Sequence, residues 1–172
     1  MKAKRLFRYK NIYVFIVGFS ILWCFLFISV PFFRAGGSFL RKTAVFIMYF
    51  FAPVCHQIAE RSFHIMNYPL AVCARCSGIY LGFLFGAVSY PFIRKLDSAL
   101  LPPRWILGIS VIPMIFETSL SRLGLIPTNR FLMGFSGLVP GAVIAFFVIP
   151  AVFQLVDILI KNEVNDYGRK TE

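Results

Sequence analysis

Charge is scarce in this chain. Of its 172 residues only 15% are charged and only seven are acidic, whereas an ordinary soluble domain is about a quarter charged. No phosphate-cradling Gly-Lys loop, no Ser-His-Asp order and no paired-carboxylate motif stands out, which leaves kinase and classical hydrolase chemistry without an anchor. What is present is apolar: 59% of residues are hydrophobic, 17% are aromatic, and the mean hydropathy is +0.77. A soluble fold of this length has no interior large enough for so much apolar surface, so the composition implies an integral membrane protein. At about 20 residues per crossing the length allows four or five membrane segments and no large aqueous domain. Eighteen Lys and Arg give a formal charge of +11. They sit mostly at the ends of apolar runs, where they anchor to membrane lipids and set topology, so nucleic acid is not an expected partner.

Residues 1–10 hold five basic residues and no acid, and lead into an uncharged apolar run over 11–33. That run exceeds a signal-peptide core and its exit, Pro31-Phe32-Phe33-Arg34, lacks small residues, so it reads as an uncleaved first span. A polar turn with Gly36-Gly37 precedes a short apolar stretch over 43–54 that meets Pro53. Its ten-residue apolar core, Thr43–Ala52, rises only about 15 Å as a helix, half a bilayer, and reads as a re-entrant or half helix. Further spans are expected over 77–93, 105–121 and 131–156, with a soluble charged tail over 157–172. The fold class expected is therefore an all-α membrane bundle of about four transmembrane helices plus a half helix, in a single domain. Gly78, Gly82 and Gly86 share one helix face, and Gly137 and Gly141 form a second close-packing pair. A glycine face left without a partner inside the bundle would favour a homodimer.

Counting Lys and Arg with 43–54 re-entrant puts eleven on one side, with both termini, and seven on the other. The positive-inside rule then places both termini in the cytoplasm and the Cys-rich loop, 55–76, on the outer face of a multi-pass cell-membrane protein. A full crossing by 43–54 would level the count at nine and nine.

Cys24 lies mid-helix and reads as a small buried hydrophobe. Cys55, His56, Cys73 and Cys76 belong together: three thiols and one imidazole suit a tetrahedral metal site, most naturally structural zinc, with iron the other candidate. The Cys73-x-x-Cys76 spacing lets both sulfurs turn toward one ion. Adjacent Cys55 and His56 must be bent to share it, and His64 is a spare ligand. The same thiols suit disulfide exchange, with Cys73 and Cys76 passing electrons to a quinone or from a partner and Cys55 resolving. Cys76 sits at the expected start of a helix, which stabilises a thiolate. A third reading is an inert staple in a non-catalytic assembly protein.

Cys55-His56-Gln57, Arg61-Ser62-Phe63 and Cys73-Ala74-Arg75-Cys76-Ser77-Gly78-Ile79-Tyr80-Leu81-Gly82 together resemble the signature of a prokaryotic family of small predicted membrane proteins of unknown function. The resemblance runs from Pro53 to about Gly86, and more loosely to Glu117, Asn129 and Arg130. It implies a membrane location and no particular reaction. Thr is as common as Ser at position 77 in that pattern, and a glycine common between its last two elements is replaced here by the Asn67-Tyr68 region.

Glu117 within an apolar run calls for a partner, and Arg122, Arg130 and Arg61 are the cations considered for it. Asn129 and Arg130, at the start of the last span, could hold a phosphate or carboxylate. If the short segments fold around a common cavity, Arg61, Arg75, Glu117 and Arg130 would line an anionic-ligand pocket suited to a lipid headgroup or a quinone.

Overall fold

The computed structural model of the chain describes residues 2–96, 100–127 and 129–170. It is an all-α membrane architecture of five helices: α1 (Lys2–Ala35), α2 (Ser38–Phe51), α3 (Ala74–Ile93), α4 (Arg104–Arg122) and α5 (Arg130–Lys170). Between α2 and α3 lie a single 3-10 turn (Ala59–Arg61) and a two-residue antiparallel ladder, β1 (His64–Ile65) with β2 (Tyr68–Pro69). Among the described residues three helices, α1, α3 and α5, are long and apolar enough to cross a membrane.

The glycine stripes explain how α3 and α5 pack. A Cβ added at Gly78 would fall 2.0 Å from the carbonyl oxygen of Gly134, one at Gly82 2.2 Å from that of Leu138, and one at Gly86 2.4 Å from that of Ala142. From the other side, Gly137 meets the Arg75 carbonyl and Gly141 the Ile79 carbonyl. Each glycine thus admits the facing backbone to a distance that no side chain would allow. The partners advance together along both helices, so α3 and α5 run parallel. Both stripes are consumed within one chain, which removes the unpartnered glycine face as a reason to expect a dimer.

Parallel α3 and α5 require the connection between them to return across the bundle. Helix α4 does so: its 19 residues rise about 28 Å. Its serines, Pro113, Glu117 and terminal arginines leave it less apolar than the other three. Helix α1 runs against α5, with Tyr9 stacked on Phe153 at 4.3 Å between ring centroids and Asp157 accepting from Arg5 and Tyr9. Both ends of the described chain therefore lie at one end of the bundle and the segment 52–73 at the other. Helix α2 folds back along α1 and stops where Phe50 and Phe51 pack on Trp23. At 14 residues it rises about 21 Å, short of a bilayer.

Some boundaries differ from the sequence expectation. Helix α1 takes in the basic segment from Lys2, and α2 begins at Ser38. Helix α3 begins at Ala74, which puts Cys76 inside it, and α5 continues through Pro140 and Pro150 into the charged tail as far as Lys170. The last two residues of that tail lie outside the described residues.

Two cores follow from this arrangement. One, at the loop end, gathers Cys24, Phe27, Val30, Ile47, Phe51, Cys55 and the 70–72 strip, with Ala71 N–H donating to the Phe27 carbonyl. The other, at the end carrying the termini, centres on Tyr90, Ala145, Ile149 and Phe153. Exposed rings such as Phe15, Phe46, Phe85, Phe92 and Phe135 lie on the outside of the bundle, as a hydrocarbon solvent permits.

Candidate metal centre

The backbone between α2 and α3 is folded to bring distant residues to one point. Helix α2 ends before Pro53, and the amides of Val54 and Cys55 bond back to the Phe51 carbonyl, a tight turn that aims Cys55 inward. Gln57 then adopts φ 52°, and its Nε2 donates to the carbonyls of Met48 and Ala71 at 2.7 and 2.8 Å. One side chain thereby ties the end of α2 to the strand that leads into α3. Further on, Met66 and Asn67 have φ of 52° and 65°. Two consecutive left-handed residues make the type I′ geometry that suits a two-residue hairpin, and asparagine tolerates it well. This is how the loop turns without the glycine expected there.

Cys73 caps α3, and Cys76 lies three residues on, within the first turn. At about 100° per residue the two cysteines point within about 60° of each other, while Arg75 points to the opposite side. The sulfurs of Cys55, Cys73 and Cys76 consequently lie within 4.8 Å of one another. The Cys73 amide donates to the Cys55 sulfur at 3.2 Å. All four cysteines are free thiols, with Cys55 buried and Cys73 and Cys76 partly so. Hydrogen bonds from the thiols of Cys73 and Cys76, aided by the backbone amides of Cys73 and Gln57, hold the Cys55 thiol well below its ordinary range, against the opposing effect of burial. Three thiols are thereby gathered at the N-terminal end of α3.

His56 does not join it. Its side chain is exposed while that of Cys55 is buried, because neighbouring side chains diverge and the bonds of Gln57 fix the turn that separates them. His64 is also outside, exposed, with Nδ1 3.0 Å from the Ser62 carbonyl. Cys24 is a core residue, as expected, its thiol directed at the Tyr80 carbonyl at 3.7 Å. Trp23, which the sequence did not single out, and Tyr80, which stood only in the family-like string, border the thiol cluster, their ring centroids 5.8 Å apart.

On the other face of the α3 N-terminus, Arg75 pairs with Glu117 at 2.5 Å. Glu117 is buried, and the three cations considered for it from the sequence are not its partner. Helical geometry explains the difference, since the two cysteines take one side of the turn and leave Arg75 facing α4. Arg61, Arg75, Glu117 and Arg122 line a small chamber there, and Arg61, Asn129 and Arg130 line a larger cleft beside it. Asn129 caps α5 by accepting the Phe131 amide at 2.9 Å, and Arg130 Nε donates to the Glu60 carbonyl at 3.0 Å.

A family model described as "Predicted membrane protein (DUF2085)" matches residues 55–147, from the first clustered cysteine into α5. An uncharacterized protein of Methanocaldococcus jannaschii is 33% identical over 150 residues, which cover 86% of this chain and 96% of that protein. No solved structure matches.

Proposed function

We propose that this chain, which belongs to the DUF2085 family of predicted membrane proteins, holds a thiophilic metal ion at Cys55, Cys73 and Cys76, zinc before iron. The observation that carries the reading is the mutual approach of three sulfurs to within 4.8 Å. Thiolates bound to one zinc at about 2.3 Å lie roughly 3.8 Å apart, so closing on an ion asks for at most about 1 Å of movement. Thiolate ligands select zinc over magnesium or calcium. Three protein ligands leave a fourth position for water, a ligand atom or a donor from elsewhere. His56 could fill it only by breaking the turn that Gln57 stabilises. We also assign both termini to the cytoplasm and the metal loop to the outer face of the cell membrane, supported by the excess of basic residues on the side of the termini.

The experiment is cobalt reconstitution of the detergent-purified, metal-free full chain. Intense thiolate-to-cobalt charge-transfer absorbance, saturating at about one ion per chain, is the expected result. Cobalt additions that give no such absorbance would contradict the assignment.

A second reading is thiol–disulfide exchange. It is favoured by the contact of the low-pKa Cys55 with both members of the CxxC pair. Two thiols would lose two electrons and two protons to a quinone, giving one disulfide and one quinol. An apolar cavity of about 450 Å³ lined by Phe19, Trp23, Cys24 and Tyr80 adjoins the cluster and supports a quinone over a soluble acceptor. Two thiols that vanish on addition of a water-insoluble quinone and return with reductant would favour this reading over the metal site.

A further inference from the structure

We propose that the arginine-lined cleft at the N-terminal ends of α3 and α5 binds a phosphate-bearing ligand, independently of the thiol site. The cleft has two neighbouring parts, both lined by Arg61. The inner chamber, about 80 Å³, is lined by Arg61, Arg75, Glu117 and Arg122. The outer part, about 550 Å³, is lined by Glu60, Arg61, Asn129 and Arg130. Four arginines thus face two carboxylates.

The pairing within the cleft leaves cationic capacity unused. Glu117 engages Nη2 of Arg75, while Arg75 Nε is buried and has no partner. Among the described residues neither Arg61 nor Arg122 has an ion-pair partner. The two unpaired guanidinium forks of Arg61 and Arg122, beside the Arg75–Glu117 pair, line a chamber with room for a tetrahedral anion and suit the oxygens of a phosphate monoester, which arginine binds in pairs of parallel bonds. Helix α5 adds the positive end of a long dipole at the same mouth. Glu117 serves as a positioning residue that fixes the Arg75 fork, and the outer cleft has room for the remainder of the ligand.

The phosphate could belong to a lipid headgroup or to a soluble species, and calorimetric titration of the detergent-purified full chain separates the two. The probes are inorganic phosphate, dihexanoyl phosphatidic acid and, as a control, dihexanoyl phosphatidylcholine. Saturable binding of phosphatidic acid or phosphate, but not of the choline lipid, is expected. It should weaken about tenfold or more in the double variant R61A/R122A, whose changes lie at exposed positions and should leave the circular dichroism and melting temperature intact. Binding by phosphatidic acid alone assigns the site to a headgroup; equal binding by inorganic phosphate assigns it to a soluble species. The proposal is overturned if neither anionic probe saturates the wild type, if the choline lipid binds equally, or if R61A/R122A binds as the wild type does.

Discussion

The amide of Cys73 donates to the sulfur of Cys55 at 3.2 Å, across 18 positions of sequence. This one bond joins the turn after α2 to the cap of α3, and it stabilises Cys55 as an anion. Because the Cys55 thiol is held below its ordinary range, its ionisation stabilises the fold fully above the pKa of an unfolded thiol. That contribution is lost as pH falls through the folded value. Metal-free protein near neutral pH should therefore show the ultraviolet absorbance of one thiolate per chain, fading on acidification. Cys55→Ser should lack it, and a wild type with no thiolate signal at neutral pH would contradict the assignment.

Gln57 holds the two carbonyls that frame the site. Gln57→Leu leaves the Met48 and Ala71 carbonyls without their donor, at a cost of about 1–3 kcal/mol for buried groups. The expected outcome is a lower melting temperature together with weaker metal retention against a chelator. A variant that melts early but retains metal as the wild type does would show that Gln57 supports the fold and not the ligand geometry.

The α3–α5 contact predicts a sharp contrast between two glycines. Gly82→Ala would place a methyl group 2.2 Å from the Leu138 carbonyl oxygen, forcing the helices apart, whereas Gly108 on α4 has nothing within 4 Å. Overpacking of this kind costs about 1–3 kcal/mol. Thermal unfolding in detergent should show Gly82→Ala clearly destabilised and Gly108→Ala unchanged.

The Arg75–Glu117 pair predicts non-additivity. Removing Glu117 alone leaves a half-buried guanidinium uncompensated, and breaking such a pair costs about 3 kcal/mol or somewhat less for a partly exposed partner. Glu117→Leu should be strongly destabilising, and Glu117→Leu with Arg75→Met should recover much of the loss. Additive losses in a double-mutant cycle would deny the coupling.

Much of this was readable from residue spacing, because spacing is what helical geometry converts into faces. Cys73 and Cys76 fall on one side of a turn, and Gly78, Gly82 and Gly86 on one side of a helix. The half helix followed from Pro53 and from a run too short for a bilayer. Spacing says nothing of which faces meet, so it left open that the two glycine stripes pack on each other and that Arg75 reaches Glu117. It also carries no backbone dihedral at an isolated turn. The positive φ of Gln57, which sends Cys55 inward and leaves His56 outside, had no periodic signature; its only trace was the Cys-His-Gln string of the family resemblance. Residues 2–10 and 157–170 read as flanking charge, yet they continue α1 and α5, and Tyr9 donates to Asp157 between the two helices.

The most direct test of the thiol site is the metal content of three purified proteins, measured by elemental mass spectrometry: wild type, Cys55→Ser and His56→Ala. About one zinc or iron per chain in the wild type and in His56→Ala, and almost none in Cys55→Ser, is the result predicted by a three-sulfur centre. A wild type without metal, or a metal that His56→Ala loses as completely as Cys55→Ser does, would contradict it.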